Sequence, residues 1–350
     1  MASRFECILE KFKNEPLPPG KVPPRLLASL LSLPRKTDPA LLIGPSPGED
    51  AAVISLGEKS VVVTSDPITF ETPEPGFYAL HINANDIAVM GGEPEFFILT
   101  IITPPNTTER QIAAVMLQAI EAGDSLGVTL IGGHSEISEA VNGLIVSVTM
   151  FGRLIKPRPI RTGDGRPGDA IIQVGPMGVE GTSILANQHR PQIEIKFGLP
   201  FTERAVGFLF DPGISVVQPA RLAVERLDVH AMHDPTEGGL ATGLLEIAKA
   251  SDSGLAVNLD SVMIRPETPD ICRLLNVDPL GLISSGCLLF TLPEEDAREA
   301  INLLDGSGFS ASVIGRLTKN PDEYYMESQE SGRREWPVFR VDELAARKKT

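Results

Sequence analysis

Residues 76–104 read GFYALHINANDIAVMGGEPEFFILTIITP, and this stretch indicates how the first half of the chain folds. Its beginning has the pattern of a helix that a glycine pair ends, and the apolar run after that pair has the length of a strand. Asn83, Asn85 and Asp86 interrupt the otherwise apolar helix, although Asn and Asp are poor helix formers. A solvated helix face is one explanation of them, and a metal-binding and phosphate-binding role is the one that we favour.

Acidic segments of this kind occur at four places, namely GEDAAVI (48–54), TSDPITF (64–70), NANDIAVMGG (83–92) and HDPTEGG (233–239). Their aspartates are Asp50, Asp66, Asp86 and Asp234. Carboxylates are the hard oxygen ligands that Mg²⁺ uses when it carries a polyphosphate. Because no GxxxxGK[ST] motif is present, the sequence predicts an enzyme that binds Mg-ATP without a P-loop.

Two of these aspartates also have structural explanations. Asp66 ends one strand of a predicted hairpin, and Asp is common where strands turn. Asp234 precedes a predicted helix and could act only as its N-cap. Capping does not explain Gly238 and Gly239, because glycine in a helix interior costs about 1 kcal/mol relative to alanine. We therefore expect a ligand or another chain to approach this second glycine pair closely.

A third glycine pair lies in GGHSE (132–136), after the apolar strand VTLI. Two glycines allow backbone N–H groups to point at an anion. Ser135 could then donate to a phosphate, and Glu136 could hold a metal or a ribose hydroxyl. A tight turn is the alternative, and in both interpretations the strand enters a glycine turn.

The other elements predict α/β or α+β layers in two domains. In the first half we expect a hairpin (51–56 and 59–66), a helix with a Thr108–Gln111 capping box (107–127), and strands at 128–136 and 143–154. In the second half we expect strands at 170–176, 284–293 and 310–318 and helices at 178–188, 236–254 and 294–304, with a hairpin and a short helix in the last part. The Pro- and Gly-rich segment 156–169 predicts the domain boundary. We divide the chain into an arm (1–20), a first domain (21–158), a second domain (159–320) and a tail (321–350).

The composition is that of a soluble globular protein, with 42% hydrophobic and 22% charged residues. A net charge of -15 argues against nucleic acid as a partner, because its phosphates need Lys and Arg. No apolar run approaches the roughly 20 residues needed to cross a bilayer, and the beginning of the chain lacks the apolar core of a secretory signal. The three cysteines show no metal-ligand spacing. We therefore expect a cytoplasmic protein that binds neither nucleic acid nor a membrane.

Taken together and in this order, the segments resemble the AIR synthase-related superfamily. Its members include aminoimidazole ribonucleotide synthetase, the hydrogenase maturation protein HypE, selenophosphate synthetase and thiamine-monophosphate kinase. The resemblance covers roughly residues 20–320 and is nearest to the HypE family. It rests on GEDAAVI, TSDPITF, NDIAVMGGEP, the glycine pair at 132–133, RPGDAIIQVGPMGVEGTSILA and DPTEGGLATGLLEIA.

The resemblance implies a two-domain AIR synthase-like fold of the α/β (α+β) class. It also implies a homodimer in which the N-terminal sheets form a shared barrel and ATP lies in a cleft between subunits, so that 21–158 is the ATP-binding and dimerisation domain. Carried over by motif, the Mg²⁺ carboxylates are Asp50, Asp66, Asp86 and Asp234, with Asp86 and Asp234 also in catalytic roles. The implied nucleotide-binding residues are Asn85, Gly132, Gly133 and His134, together with Lys21 in an arm that touches phosphates.

The implied function is an ATP-dependent enzyme that phosphorylates a carbonyl or amide oxygen on a small or peptide-borne acceptor. Two alternatives stay open: a small-molecule kinase resembling thiamine-monophosphate kinase, and a non-catalytic ATP-binding partner in a metalloenzyme maturation complex. HypE ends in a Pro-Arg-Ile-Cys tail whose Cys carries the carbamoyl group, whereas no cysteine follows Cys287 in this sequence. The sequence therefore leaves the acceptor open, and a maturation partner protein is an expectation only.

Overall fold

The computed structural model describes residues 12–14, 16–17, 22–33, 36–46, 48–339 and 341–346. The chain divides into two compact units, residues 1–35 and 36–350. The first unit contains the short helix α1 (Pro24–Leu31). Lys21 lies outside the described residues, so its contact with phosphates stays a prediction.

The second unit contains two β-sheets, and the first sheet comes from the first half of the chain. Its elements are β1 (Leu41–Ile43), β2 (Ala52–Leu56), β3 (Lys59–Ile68), α2 (Pro75–Val89), β4 (Gly92–Thr103), α3 (Glu109–Leu126), β5 (Thr129–Ile137) and β6 (Ile145–Leu154). The strand order is β1-β2-β3-β6-β4-β5. Strands β4 and β5 pair in parallel, and the other described pairs of this sheet are antiparallel. The predicted β2–β3 hairpin is therefore confirmed.

Helix α2 is a core helix, which explains why its sequence is apolar nearly all round. It packs on β3, β4 and β6 and also contacts α3 and the second half of the chain. The helix ends where Gly91 adopts a left-handed φ of 76°, which glycine tolerates at little cost. Its predicted end is thus confirmed, and β4 begins directly after it at Gly92.

Helix α3 begins with the predicted capping box. Gln111 N–H donates to Thr108 Oγ1 at 3.3 Å, and Thr108 N–H donates to Gln111 Oε1 at 2.8 Å. Two backbone donors at the start of the helix are satisfied in this way, as the sequence spacing predicts.

The second sheet is formed by the second half of the chain. Its elements are β7 (Ala170–Val174), α4 (Val179–Gln188), α5 (Arg190–Phe197), α6 (Leu199–Gly207), α7 (Val217–Arg226), β8 (Ala231–His233), α8 (Gly239–Ala250), β9 (Gly254–Asn258), α9 (Glu267–Leu275), β10 (Leu288–Leu292), α10 (Ala297–Gly306), β11 (Ala311–Thr318), β12 (Tyr324–Ser328), β13 (Gly332–Glu335) and α11 (Glu343–Ala346). The strand order is β13-β12-β9-β11-β7-β10-β8. The mixed α/β architecture with two sheet domains is confirmed, and the hairpin expected in the tail is β12–β13, which extends this second sheet.

The two sheet domains share one hydrophobic core. A single cluster of buried side chains includes Ala84 and Ile87 of α2, Ile214 and Val216 in the loop before α7, and Phe290 of β10. The predicted site residues on α2 are therefore held against the second domain by continuous packing. We use the word seam below for this boundary between α2 and residues 214–216.

Candidate active site

Four elements bring the predicted aspartates together. Asp50 precedes β2, Asp66 lies on β3, Asp86 lies on α2, and Asp234 follows β8. Thr64 links two of these elements, because its hydroxyl donates to Asp86 Oδ2 at 2.9 Å and also lies 3.2 Å from the Asp50 carbonyl oxygen. The first sheet domain thus contributes three aspartates to a common group, and the second sheet domain contributes one. We call this group the aspartate cluster (Asp50, Asp66, Asp86 and Asp234).

Asp86 is the buried centre of the aspartate cluster. Burial raises the pKa of Asp86 well above its usual range, and the Asp234, Asp66 and Asp50 carboxylates raise it further. The hydrogen bond from Thr64 acts in the opposite direction but is the smaller influence. A cation bound beside this carboxylate would relieve the repulsion, and this is the electrostatic requirement of a metal site.

Asn83 positions Asp66 through its backbone. The Asn83 amide accepts the Asp66 N–H at 2.8 Å and donates to the Asp66 carbonyl oxygen at 3.1 Å. It also donates to Ala79 one helical turn earlier at 2.9 Å. Both ends of this buried amide are therefore engaged by backbone, so Asn83 fixes the backbone of Asp66, whose carboxylate is a predicted metal ligand.

His233 is a site residue that the sequence reasoning missed. It ends β8 and is 5% exposed, with Nδ1 lying 3.1 Å from Asp50 Oδ2 and Nε2 lying 2.9 Å from Glu246 Oε2. Burial opposes protonation, but the Asp50 carboxylate and then Glu246 hold the pKa of His233 well above its usual range. The only local signal was its position before Asp234, because Asp50 is distant in the chain.

The part of the site formed by Asp50 and Asp234 has the donor atoms for a hard divalent cation. Asp50, His233 and Asp234 present ligand atoms that all lie within 4.8 Å of one another. With both its nitrogens facing carboxylates, His233 serves better as a positive charge that orients Asp50 than as a metal ligand. The remaining donors are carboxylate oxygens, which is the chemistry that Mg²⁺ prefers.

Glu49 fixes the loop that carries Asp50. Its Oε1 accepts a hydrogen bond from Arg161 Nε at 2.7 Å, and Arg161 lies in the segment that joins the two sheet domains. Burial raises the pKa of Glu49, although the Arg161 guanidinium acts against the shift. The position of Asp50 therefore depends on a contact that crosses between the domains.

Asn85 lies on the seam, and its amide is bound to backbone. Nδ2 donates to the Ile214 carbonyl oxygen at 2.8 Å, and Oδ1 accepts the Val216 N–H at 2.8 Å. Asn85 is fully buried. Its contact with a nucleotide stays a prediction, and that contact would need one of these two bonds to be exchanged.

The glycine turn expected at 132–136 is wrong, because Gly132, Gly133 and His134 lie inside β5. They pair in parallel with Ile98, Leu99 and Thr100 of β4. His134 is exposed, and its Nε2 lies 3.0 Å from Glu136 Oε2. An anion nest of consecutive N–H groups does not form in a strand whose backbone is paired on one side, and the nucleotide role of the three residues stays a prediction.

Close pairing with the neighbouring strand requires a glycine at position 133 but not at position 132. A Cβ at Gly133 would lie 2.0 Å from the Leu99 carbonyl oxygen, whereas a Cβ at Gly132 would meet nothing within 4 Å. We expect Gly133→Ala to lower the free energy of unfolding by about 1–3 kcal/mol and Gly132→Ala to change it by less than about 0.5 kcal/mol. Urea unfolding of both variants measures the difference. Equal stability of the two variants would contradict the strand assignment.

The pair Gly238–Gly239 is also explained by the chain itself. Both residues have positive φ, at 81° and 61°, and α8 begins only at Gly239, so neither glycine is in a helix interior. A Cβ at Gly239 would lie 2.5 Å from the Leu282 carbonyl oxygen. The premise that both glycines lie in a helix interior is therefore wrong, and at Gly239 backbone of the same chain already makes the close approach.

Comparison with known proteins finds one family and several relatives. The sequence matches the family described as AIR synthase related protein, N-terminal domain, over residues 48–154, and the corresponding C-terminal domain over residues 166–326. A putative hydrogenase expression/formation protein of Methanocaldococcus jannaschii is 31% identical over 79% of this chain and 82% of that protein. Carbamoyl dehydratase HypE of Rhodobacter capsulatus is 30% identical, with 83% of each chain covered. The crystal structure of hydrogenase maturation protein HypE in complex with ATP has a TM-score of 0.70 at 24% identity and covers 91% of each chain.

Proposed function

Because the chain belongs to the AIR synthase-related family, we propose that it is a Mg-ATP-dependent enzyme that activates a carbonyl or amide oxygen of its acceptor by phosphorylation. The observation that carries the proposal is the burial of Asp86 among three further carboxylates. Such an arrangement is costly without a cation and becomes favourable when a cation bridges it to a polyphosphate. The relatives named as carbamoyl dehydratases support an amide-type acceptor.

Each residue of the cluster has a distinct task in this proposal. Asp86 and Asp234 would hold Mg²⁺ nearest the transferred phosphoryl group, and Asp50 and Asp66 would complete its oxygen ligands. Bound Mg²⁺ supplies charge neutralisation for the transferred phosphoryl group. His233 and Asn83 keep Asp50 and Asp66 in place, so that little reorganisation is needed when the nucleotide binds.

A homodimer is part of the proposal. The face of the first sheet that α2 does not cover exposes apolar residues, among them Phe96 at 44% exposure. Ile131 and Ile137 on the edge strand β5 are 55% and 56% exposed. An apolar face of this kind beside an open sheet edge suits pairing with a second copy, as in the shared barrel that the family resemblance implies.

The setting of the reaction is a proposal of the same kind. Relatives named for hydrogenase expression and formation favour an acceptor and a partner protein that belong to metalloenzyme maturation. Within the described part of the chain, no helix is both long enough and apolar enough to cross a membrane. We keep the cytoplasm as the proposed location.

The first test is calorimetric titration of Mg-ATP into the purified protein, with EDTA in the matched control. We expect saturable binding of one ATP per protomer that disappears with EDTA, because the carboxylates repel the triphosphate without a cation. Product analysis with acceptor then separates the alternatives. Free phosphate with a changed acceptor supports activation, and a stable phosphorylated acceptor supports a kinase. Absence of binding in Mg²⁺ would contradict the proposal.

A further inference from the structure

The part of the chain after β13 folds back onto the second sheet domain. We call residues 336–339 and 341–344 the C-terminal strap. Trp336 is 3% exposed, and its indole Nε1–H donates to the Ala241 carbonyl oxygen of α8 at 3.0 Å. Phe339 lies so close to Gly281 that a Cβ at this glycine would come 2.5 Å from the aromatic ring. The strap is therefore packed into the protein and is bound to α8.

Asp342 of the strap caps the beginning of α8. Its Oδ2 accepts the Gly238 N–H at 2.7 Å, and its Oδ1 accepts the Leu344 N–H at 2.8 Å. Gly238 is the N-cap residue of α8, and in a capping box the side chain three residues later would accept from its N–H. That residue is Ala241, which has no acceptor in its side chain. Asp342 therefore performs this task from 104 positions away, where the helix dipole also favours its negative charge.

The surroundings of Asp342 oppose a negative charge. Asp342 is 7% exposed, and burial raises its pKa to about 6. The two backbone N–H groups act against this shift, whereas the carboxylates of Glu237 and Glu343 add to it. The charge of Asp342 in turn raises the pKa of Glu180 on α4. A carboxylate that lies buried near other acids must be held by its hydrogen bonds, and both of the bonds that hold Asp342 come from backbone.

The capped N–H group belongs to the turn that carries Asp234 of the aspartate cluster. Strand β8 ends one residue before Asp234, and α8 begins directly after Gly238. Within the turn, Pro235 lies against α8, where a Cβ at Gly243 would come 2.8 Å from the Pro235 Cβ. The pairing of β8 thus fixes one end of the turn, and the bond from Gly238 to Asp342 fixes the other end.

We propose that Asp342 is a positioning residue for the metal site, because it holds the turn that carries Asp234 through the Gly238 N–H; this inference rests on the proposed function. Asp342 touches neither the metal nor the nucleotide in this assignment. It keeps the Asp234 carboxylate in place through backbone, as Asn83 does for Asp66. The C-terminal strap is then a fixed part of the scaffold of the active site, and metal affinity depends on it although it supplies no ligand.

Asp342→Asn tests the assignment with almost no change in shape. The amide oxygen can accept from one of the two backbone N–H groups, but the NH₂ group then faces the other and cannot accept. The probe is Mn²⁺ with a non-hydrolysable ATP analogue, and electron paramagnetic resonance of the full-length protein measures its binding. We expect the Kd for Mn²⁺ to rise about 10–100-fold, the usual cost of losing a group that orients metal ligands. The Mg²⁺ concentration for half-maximal ATP turnover should rise by the same factor, and saturating Mg²⁺ should restore most of kcat.

Glu343→Gln is the matched control, because Glu343 follows Asp342 in the strap but binds a different turn. Its Oε2 accepts the Asp278 N–H at 3.2 Å, and that turn carries no member of the aspartate cluster. Each variant removes one negative charge from the strap and weakens one of its contacts with backbone. A purely structural role of the strap would therefore weaken Mn²⁺ binding equally in both variants. We expect Glu343→Gln to keep the Kd for Mn²⁺ within about twofold of the wild type.

Two results would overturn the inference alone: a wild-type Kd for Mn²⁺ in Asp342→Asn, or equal weakening of Mn²⁺ binding in Asp342→Asn and Glu343→Gln. A wild type that binds no Mn²⁺ with the nucleotide would overturn the proposed function and this inference with it.

Discussion

Asp86→Asn is expected to abolish Mg²⁺-dependent ATP turnover, with a loss of at least about 100-fold relative to the wild type. Changes in residues that only orient metal ligands already cost about 10–100-fold, and in the proposed function Asp86 binds the metal directly. The substitution keeps size and shape, and Thr64 can still donate to the amide oxygen. What is removed is the charge that Mg²⁺ requires. Phosphate release at saturating ATP, with Mg²⁺ varied, measures the effect.

Asp86→Asn could also lose activity because it fails to fold. The repulsion among the buried carboxylates argues against this cause, because the substitution removes one of the negative charges. The pKa of Asp86 is raised in the folded state, so the folded protein binds this proton more readily than the unfolded chain does. Stability of the metal-free protein therefore falls as the pH rises through the interval between the usual and the raised pKa. Removing the carboxylate removes that loss, so metal-free Asp86→Asn should unfold at the same or a higher urea concentration than the wild type at pH 7.

A matched control is Asp124→Asn on α3, where the side chain is exposed and outside the aspartate cluster. Its turnover should stay within about twofold of the wild type. Full Mg²⁺-dependent activity in Asp86→Asn would contradict the placement of the metal, and equal losses in both variants would point to a general effect of charge.

Local sequence patterns were sufficient to predict most of the helices and strands, because the residues that determine where these elements begin and end lie within a few positions of one another. The glycine pair after α2, the capping box of α3 and the turn between β2 and β3 are examples, and all three are present. The glycine pair in β5 misled the prediction because glycine favours turns but also permits close strand pairing. Only the position of Leu99 on the neighbouring strand decides between these, and that neighbour is remote in sequence.

The candidate site shows the same division between local and long-range information. Acidic residues near glycines pointed to Asp50 and Asp86 from the sequence alone. His233 was missed because its role depends on a contact with Asp50, which lies 183 positions earlier in the chain.

Asn85→Ala is expected to have the largest effect on stability, lowering the free energy of unfolding by about 2–6 kcal/mol. The substitution leaves the Ile214 carbonyl and the Val216 N–H without their partner, and each buried unsatisfied group costs about 1–3 kcal/mol. Urea unfolding of metal-free protein measures the change. Asn302→Ala, on the exposed face of α10, should stay within about 0.5 kcal/mol of the wild type.

The same variant separates the two roles that Asn85 can have. If the amide mainly holds the seam together, Asn85→Ala loses stability, and the fraction that remains folded at low temperature still binds Mg-ATP within about tenfold of the wild type. If the amide instead lines the nucleotide, as the family resemblance implies, binding is lost while unfolding changes little. The geometry favours the first result, because both polar atoms of the amide already have backbone partners at 2.8 Å and a nucleotide would have to displace one of them. Unchanged stability with lost binding would show that these bonds contribute little and that the assignment of Asn85 to the seam is wrong.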